Sequence, residues 1–213
     1  FTGLSTALHL AERGVPVTLI EAEKIGYGAS GRNGGQVIPG LKLDPAEMRA
    51  RWGAEAGGRL VAFAGGVADT VFDLIDRYAI ACGASRNGWI QGAHSSIALK
   101  AVHGRAREWE AEGAPIEIYD AQAMADATGA VGYTGGWRDM RAGQLNPLAY
   151  ARGLARAARE RGATVVTGRR VKAITRDGAG WELDLGGETV RGETVVLATN
   201  AYDATLMPKL ARS

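Results

Sequence analysis

Between Gly14 and Glu21 the chain carries one short, nearly continuous apolar run, Val15 to Ile20. A strand that is apolar on both faces is buried only in a parallel sheet covered on both sides. What precedes it fits that reading. Leu4, Ala7, Leu8 and Ala11 recur at helical spacing within Phe1 to Arg13, and Gly14 is a natural helix stop. The same arrangement returns later. Asn146-Pro147 pairs a capping side chain with proline at the first helical position, and predicts a helix to about Arg161 that ends at Gly162. Thr164 to Thr167 follows as a strand, and Thr194 to Ala198 reads as a further buried parallel-type strand. Helix, strand, long middle, helix, strand: this order describes an α/β layer interrupted by an insert.

The middle reads differently. Arg59 to Ala81 predicts one long amphipathic helix, with Leu60, Phe63, Ala64, Val67, Val71, Leu74, Ile75 and Tyr78 on its apolar stripe. Trp89 to Ala93 and Ile116 to Tyr119 read as strands. Ile97 to Glu112 reads as a helix capped by Ser95 or Ser96, and Asp120 caps a short helix to about Ala127. Tyr133 to Asn146 interleaves glycines and aromatics as strands and turns do; Trp137, Arg138, Asp139 and Arg141 there read as a solvated turn or as residues facing a substrate. Val171 to Arg176, Trp181 to Leu185 and Glu188 to Val190 alternate, separated by Asp-Gly and Gly-Gly, as a hairpin meander does. The expected organisation is an α/β domain over residues 1–84 and 146–213 with an α+β insert over 85–145.

Composition narrows the function classes. Formal net charge is +2, and the 25 basic and 23 acidic residues are spread along the chain, so no basic patch points to nucleic acid. One cysteine, Cys82, allows no disulfide within the chain; its place after an apolar run predicts a core residue, and a reducing, cytoplasmic setting is expected. His9, His94 and His103 are not grouped as metal ligands. No apolar stretch has the length of a membrane span. Glycine is the one departure: 31 residues, placed in short clusters at the ends of periodic segments, where backbone turns or approaches something closely.

The first helix and strand match part of the dinucleotide-binding fingerprint, in which a strand, G-x-G-x-x-G, a helix and a second strand ending in an acid follow one another. Gly3 fits the third glycine, which lets helix and strand pack closely, and Glu21 fits the acid that binds ribose hydroxyls. The first strand and the first two glycines of that pattern would precede residue 1. The helix would aim its free N–H groups and positive dipole end at a pyrophosphate. An acid at position 21 disfavours a 2′-phosphate, so NADP fits poorly.

Ile25 to Gln36 reads Ile-Gly-Tyr-Gly-Ala-Ser-Gly-Arg-Asn-Gly-Gly-Gln. Its glycines permit close backbone approach, and Ser30, Arg32, Asn33 and Gln36 carry donors for phosphate or ring oxygens; a mobile surface turn has the same composition. This segment, from Gly28 to Gln36, resembles the flavin-binding segment of the D-amino-acid-oxidase-type FAD-dependent oxidoreductases. Thr2 to Glu12 resembles the helix after that family's glycine motif. Asn146, Pro147, Leu148, Gly153, Leu154, Ala157 and Ala158 resemble the helix that re-enters its FAD domain, and Val195 to Tyr202 resembles its second FAD segment.

The resemblance implies an FAD/NAD(P)-binding Rossmann-type three-layer domain interrupted by an α+β substrate-domain insert, present as a fragment whose first strand and C-terminal half are missing. It implies FAD as cofactor, with Glu21 on the adenosine ribose and Ser30, Arg32, Asn33, Gly34, Gly35 and Gln36 along the pyrophosphate and isoalloxazine. Val171 would offer its backbone to adenine, and Thr199 and Asn200 would lie near the ADP part. The implied reaction is oxidation of the C–N bond of a small-molecule amine or amino acid to an imine that hydrolyses, with dioxygen or another acceptor taking the electrons. No catalytic acid or base is singled out. A sarcosine- or dimethylglycine-type N-demethylating oxidase, an NAD-dependent dehydrogenase and a non-catalytic FAD-binding module remain open.

Overall fold

The computed structural model describes residues 1–202 and 206. In chain order the elements are α1 (Thr2–Glu12), β1 (Thr18–Glu21), β2 (Gln36–Val37), α2 (Pro45–Arg77), β3 (Trp89–Ala93), α3 (Ser96–Ala111), β4 (Ile116–Asp120) and α4 (Ala121–Thr128). There follow β5 (Gly135–Asp139), β6 (Gly143–Gln144), α5 (Pro147–Glu160), β7 (Thr164–Thr167), β8 (Ala173–Asp177), β9 (Gly180–Asp184) and β10 (Thr189–Gly192). The chain divides into two compact units, one of Phe1–Gly34, Tyr78–Cys82 and Asn146–Ser213, the other of Gly35–Arg77 and Gly83–Leu145.

In the first unit β1 and β7 pair in parallel, from Thr18 opposite Thr164 to Glu21 opposite Thr167. α1 and α5 lie against one another, with the Phe1 and Tyr150 rings 5.5 Å apart. α5 starts as its sequence dictates: the Asn146 side-chain oxygen accepts from the Ala149 N–H at 3.0 Å, and Pro147 opens the helix. Its buried stripe is Tyr150, Ala151, Leu154, Ala155, Ala157 and Ala158. Small residues there let backbones come close. A Cβ on Gly153 would sit 2.2 Å from Ile80 Cγ2, so the Tyr78–Cys82 segment crosses α5 at a position only glycine fits. Asn146 N–H closes the contact on Cys82 O at 2.8 Å, and the Cys82 side chain is buried as expected. β8, β9 and β10 form the expected antiparallel meander.

Thr194 to Ala198 is not a strand. The segment forms no ladder, and Val196 and Leu197 are 54% and 39% exposed. A parallel strand exists only through the N–H and C=O groups of a neighbour, and no strand among the described residues lies along this one. Its apolar composition reports what the segment is suited to cover, not a pairing it makes.

The second unit holds an antiparallel sheet of order β3-β5-β4, the short antiparallel pair β2–β6, and α2, α3 and α4. Ser95, not Ser96, caps α3, accepting from the Ala98 N–H at 3.2 Å, and Asp120 caps α4, accepting from Ala123 at 2.8 Å. Met48, Val61, Ala64, Ala106, Trp109, Ala114 and Trp137 form the core, with Trp89 set edge-on to Trp137 at 6.0 Å.

Two expectations fail in this unit. The long helix begins at Pro45 rather than Arg59 and ends at Arg77 rather than Ala81. It is broken at Gly53 (φ +79, ψ 168), and the halves fold so closely that a Cβ on Gly57 would meet the Arg49 Cα at 2.6 Å. Three glycines in six residues hide the helical period before the break. Phe63, placed on the apolar stripe by spacing, is 67% exposed. The solvated turn expected around Trp137 is instead strand β5. Trp137 and Asp139 are each 2% exposed, and Asp139 binds Arg141 through both oxygens, to Nε at 3.0 Å and Nη2 at 2.6 Å. Arg141 also stacks on the Trp109 ring at 4.9 Å. A buried carboxylate is tolerable because the guanidinium neutralises it and fills its lone pairs.

Candidate cofactor site

α1 begins without a side-chain cap, so the N–H groups of its first turn keep free bonding capacity and the positive end of the helix dipole is open. Gly3 lies in that turn. A Cβ added there would stand 3.2 Å from Ala198 Cβ and 3.7 Å from Leu19 Cδ1, so the helix, β1 and the Val195–Thr199 segment meet at this glycine. The Phe1 nitrogen donates to Ser30 Oγ at 2.9 Å, which brings the glycine-rich loop to the same point.

Glu21 ends β1. Its Oε1 accepts from the Glu23 N–H at 3.0 Å, which folds the following loop around the carboxylate. The loop after β7 docks onto it: Gly168 N–H bonds Glu23 O at 2.9 Å, Arg169 N–H bonds Glu21 O at 3.2 Å, and Arg170 pairs with the Glu23 carboxylate at 3.1 Å. Val171, half-buried, continues that second loop.

The glycine-rich loop is built, not mobile filler. Ala29–Gly31 is a 3-10 turn. A Cβ on Gly31 would lie 2.0 Å from Gly26 O, and Gly26 itself has φ +76 over Leu148 Cδ1. Asn33 turns its amide inward, donating to Ala29 O at 2.9 Å and Ser30 O at 3.2 Å. Arg32 lies over the Tyr27 ring at 4.6 Å. Gly34 is the contrast: nothing lies within 4 Å of a Cβ placed there.

The structure therefore gathers Gly3, Glu21, Ser30, Arg32, Asn33, Gly34, Val171, Thr199 and Asn200 into the first unit; Gly35 (φ +71) and Gln36, the start of β2, belong to the second. Thr199 and Asn200 are exposed, Asn200 in the left-handed conformation (φ +53) with its side chain accepting from Ala201 N–H. Four more residues take part, of which Leu148 and Tyr202 fall in the segments that carry the family resemblance. Tyr27 holds Arg32, Tyr202 packs its ring where a Gly28 Cβ would be 3.0 Å away, Leu148 seats Gly26 and Gly31, and Arg170 ties the two loops. Of the other two, only Tyr27, the aromatic interrupting the glycines, offered a hint in the sequence. Among the described residues no cluster of His, Cys, Asp or Glu is suited to hold a metal, and no helix is long and apolar enough to cross a membrane.

An uncapped helix end for a diphosphate, a strand-end acid for ribose hydroxyls and a glycine backbone with space above it are the fittings of a dinucleotide site. A family model, FAD dependent oxidoreductase (DAO), matches residues 1–213, and the chain belongs to that family, whose cofactor is FAD. It is 34% identical over 216 residues to gamma-glutamylputrescine oxidoreductase of Escherichia coli (strain K12), covering 100% of this chain and 50% of that protein. It is 31% identical to a probable oxidoreductase, OrdL, of Haemophilus influenzae, covering 98% and 48%. Among solved structures, glycine oxidase from Geobacillus kaustophilus superposes with a TM-score of 0.80 at 22% identity, over 97% of this chain and 55% of that one. L-proline dehydrogenase from P. horikoshii superposes at 0.75 and 18% identity, over 93% and 50%. The chain spans about half the length of the curated relatives it matches.

Proposed function

We propose that the natural protein is an FAD-dependent oxidoreductase that oxidises the C–N bond of an amine or amino acid, with a gamma-glutamylated amine as one substrate class to test. The observation that carries this is the packing of Gly3, in the first turn of α1, against Leu19 of β1, the strand that Glu21 ends. In this reading the first turn of α1 binds the diphosphate. Glu21 accepts from the adenosine ribose; hydrogen bonds to a charged group are worth about 1.5–3 kcal/mol each. Val171 offers its backbone to adenine from the loop that Arg170 anchors, and Thr199 and Asn200 border the ADP part. Ser30, Arg32, Asn33, Gly34, Gly35 and Gln36 line the remainder, with the Arg32 guanidinium supplying positive charge. Bound FAD supplies the two-electron acceptor for the C–H bond next to nitrogen, giving an imine that water hydrolyses; dioxygen or another acceptor reoxidises it. The relation to gamma-glutamylputrescine oxidoreductase supports the amine substrate class.

The test uses the full-length natural protein. It is expected to purify with a flavin absorption spectrum and to release carbonyl product from a panel of amines that includes gamma-glutamylputrescine, sarcosine and glycine. Glu21→Ala and Asn33→Ala should each weaken FAD retention. If both variants hold FAD as tightly as the parent, the assignment of these residues fails; a colourless protein that binds no FAD sinks the whole reading.

A further inference from the structure

The tripeptide Arg-Asn-Gly occurs twice in the chain, as Arg32-Asn33-Gly34 and as Arg86-Asn87-Gly88. Asparagine before glycine is a labile amide. The next main-chain nitrogen can close a five-membered ring on the side-chain carbonyl carbon, and glycine adds no Cβ to crowd that ring. With the same residues on either side, the two asparagines differ in what the fold does to them. Both are exposed to water.

At Asn87 the reacting peptide group is clamped at both ends. The Gly88 N–H, which would have to attack, donates to Ala142 O at 3.0 Å. Asn87 O accepts from Arg138 Nε at 2.9 Å and from Arg138 Nη2. Gly88 is held at φ +86 under the Arg138 side chain, whose Nε lies 2.6 Å from where a Cβ would stand. This peptide plane turns its nitrogen toward the side chain only by breaking bonds on both sides. At Asn33 the attacking nitrogen is open. The Gly34 N–H makes no hydrogen bond among the described residues, its φ lies outside the left-handed region, and nothing stands within 4 Å of a Cβ built there. Restraint falls on the side chain, whose Nδ2 donates to Ala29 O at 2.9 Å and Ser30 O at 3.2 Å. These are exposed, neutral hydrogen bonds, which water replaces with little net change in free energy.

We propose that Asn33 is a site of spontaneous deamidation in the flavin-free protein. The Gly34 nitrogen bonds to Asn33 Cγ, the bond from Cγ to Nδ2 breaks, and ammonia leaves with the proton from the Gly34 nitrogen. Water then opens the cyclic imide at either carbonyl, giving aspartate or isoaspartate; no oxidant takes part. The product carries a carboxylate in the loop that the proposed function lays along a diphosphate, where like charge opposes binding. Loss of flavin thus starts a slow, irreversible conversion to a form that rebinds it poorly. That consequence, and protection of Gly34 by bound FAD, rest on the proposed function; the lability rests on the loop alone.

The full-length natural protein, FAD-loaded and stripped of flavin, is incubated in mildly alkaline heavy-oxygen water and then digested in ordinary water. Trypsin cuts after Arg32 and Arg86, so each asparagine begins its own peptide, and mass spectrometry reads the heavy carboxyl formed during incubation. In the folded, flavin-free protein Asn33 should be labelled at least about tenfold faster than Asn87, because Asn87 waits on a local opening. In denaturant both should react quickly and at similar rates, so slow labelling of Asn87 certifies that the stripped protein is folded. Bound FAD should slow Asn33 by about tenfold or more. Asn33→Asp should hold FAD about tenfold more weakly than Asn33→Ala, since both lose the amide and only one adds charge. Labelling of Asn33 no faster than Asn87 in the folded protein, or a ratio that persists in denaturant, overturns the proposal. Labelling that bound FAD leaves unchanged, or equal FAD affinity of N33D and N33A, overturns its link to flavin loss. A protein that binds no flavin sinks the proposed function instead, and the comparison of the two asparagines still decides the lability.

Discussion

Gly31 and Gly34 are three residues apart in one loop, yet alanine should act on them through different physics. At Gly31 the new Cβ would lie 2.0 Å from Gly26 O, 2.9 Å from Gly26 C and 3.1 Å from Leu148 Cδ1. Relief requires about 1.2 Å of backbone movement, because a carbon and a carbonyl oxygen settle near 3.2 Å, and the obstacle is a main-chain carbonyl that no rotamer change removes. Overpacking of this kind costs about 1–3 kcal/mol, and the backbone clash puts Gly31→Ala at the upper end. For a chain of this size, about 3 kcal/mol lowers the melting temperature by roughly 6–12 °C, and by less for a longer one. At Gly34 nothing lies within 4 Å and φ is outside the left-handed region, so Gly34→Ala should leave the stability of the apoprotein within about 0.5 kcal/mol. If FAD lies against that backbone, the same methyl group displaces it and weakens FAD about tenfold, or about 1.4 kcal/mol. Thermal unfolding of the apoprotein and titration of FAD by flavin fluorescence separate the two. Parental melting of Gly31→Ala would refute the crowding of the loop. Parental FAD affinity of Gly34→Ala would refute the placement of FAD against Gly34.

Other substitutions test the frame around the site. Asp139→Ala strands the Arg141 guanidinium, 15% exposed, in the core and should cost about 3–5 kcal/mol in urea unfolding; Asp139→Leu combined with Arg141→Met should recover most of it. A cost under about 1 kcal/mol for the single variant would contradict the buried pair. Asn146→Ala removes the α5 cap and should cost about 1 kcal/mol by the same method. Tyr150, 5% exposed, has its pKa pushed up to about 12 by burial, with a smaller contribution from Cys82. The folded state keeps this proton where the unfolded chain, with a tyrosine pKa near 10, has lost it. Stability is therefore fully present below about pH 10 and declines as pH rises toward about 12, by about 1–3 kcal/mol. Tyr150→Phe should flatten that decline in unfolding curves taken from pH 9 to 12, and an unchanged slope would count against the assignment.

What could be read from the sequence was what is decided locally. Capping is a matter of one side chain and the N–H three residues on, so Asn146, Asp120 and Ser95 announced their helices. Thr164–Thr167 and Trp89–Ala93 lie between clear turn signals and appear at the expected bounds. The misreadings share a cause, which is that the deciding partner is remote in sequence. Gly53 and Gly57 look like helix breakers until Met48 and Arg49 are seen folded against Gly57. Tyr78 continues the spacing of α2, yet it leaves the helix because Tyr78–Cys82 packs on Gly153 and Asn146. Thr194–Ala198 has strand composition and no ladder partner among the described residues.

The glycine-rich loop shows the same limit within the candidate site. Composition marked Gly26 to Gly35 as backbone that must come close to something. It did not sort them into Gly31, whose near neighbour is the loop's own carbonyl, and Gly34, whose neighbour is open space. That distinction separates a glycine kept for folding from one available to a ligand. Arg138 carries the argument further. In sequence it is one charge beside Trp137 and Asp139, and alternation alone sends it to the opposite side of the strand from them. Its place depends on Asn87 O and Gly88, about fifty residues away, and on β2 and β6 bringing Gln36 and Gln144 alongside. A strand register is the device that turns such scattered polar residues into a pocket, and register is what a single sequence states least directly.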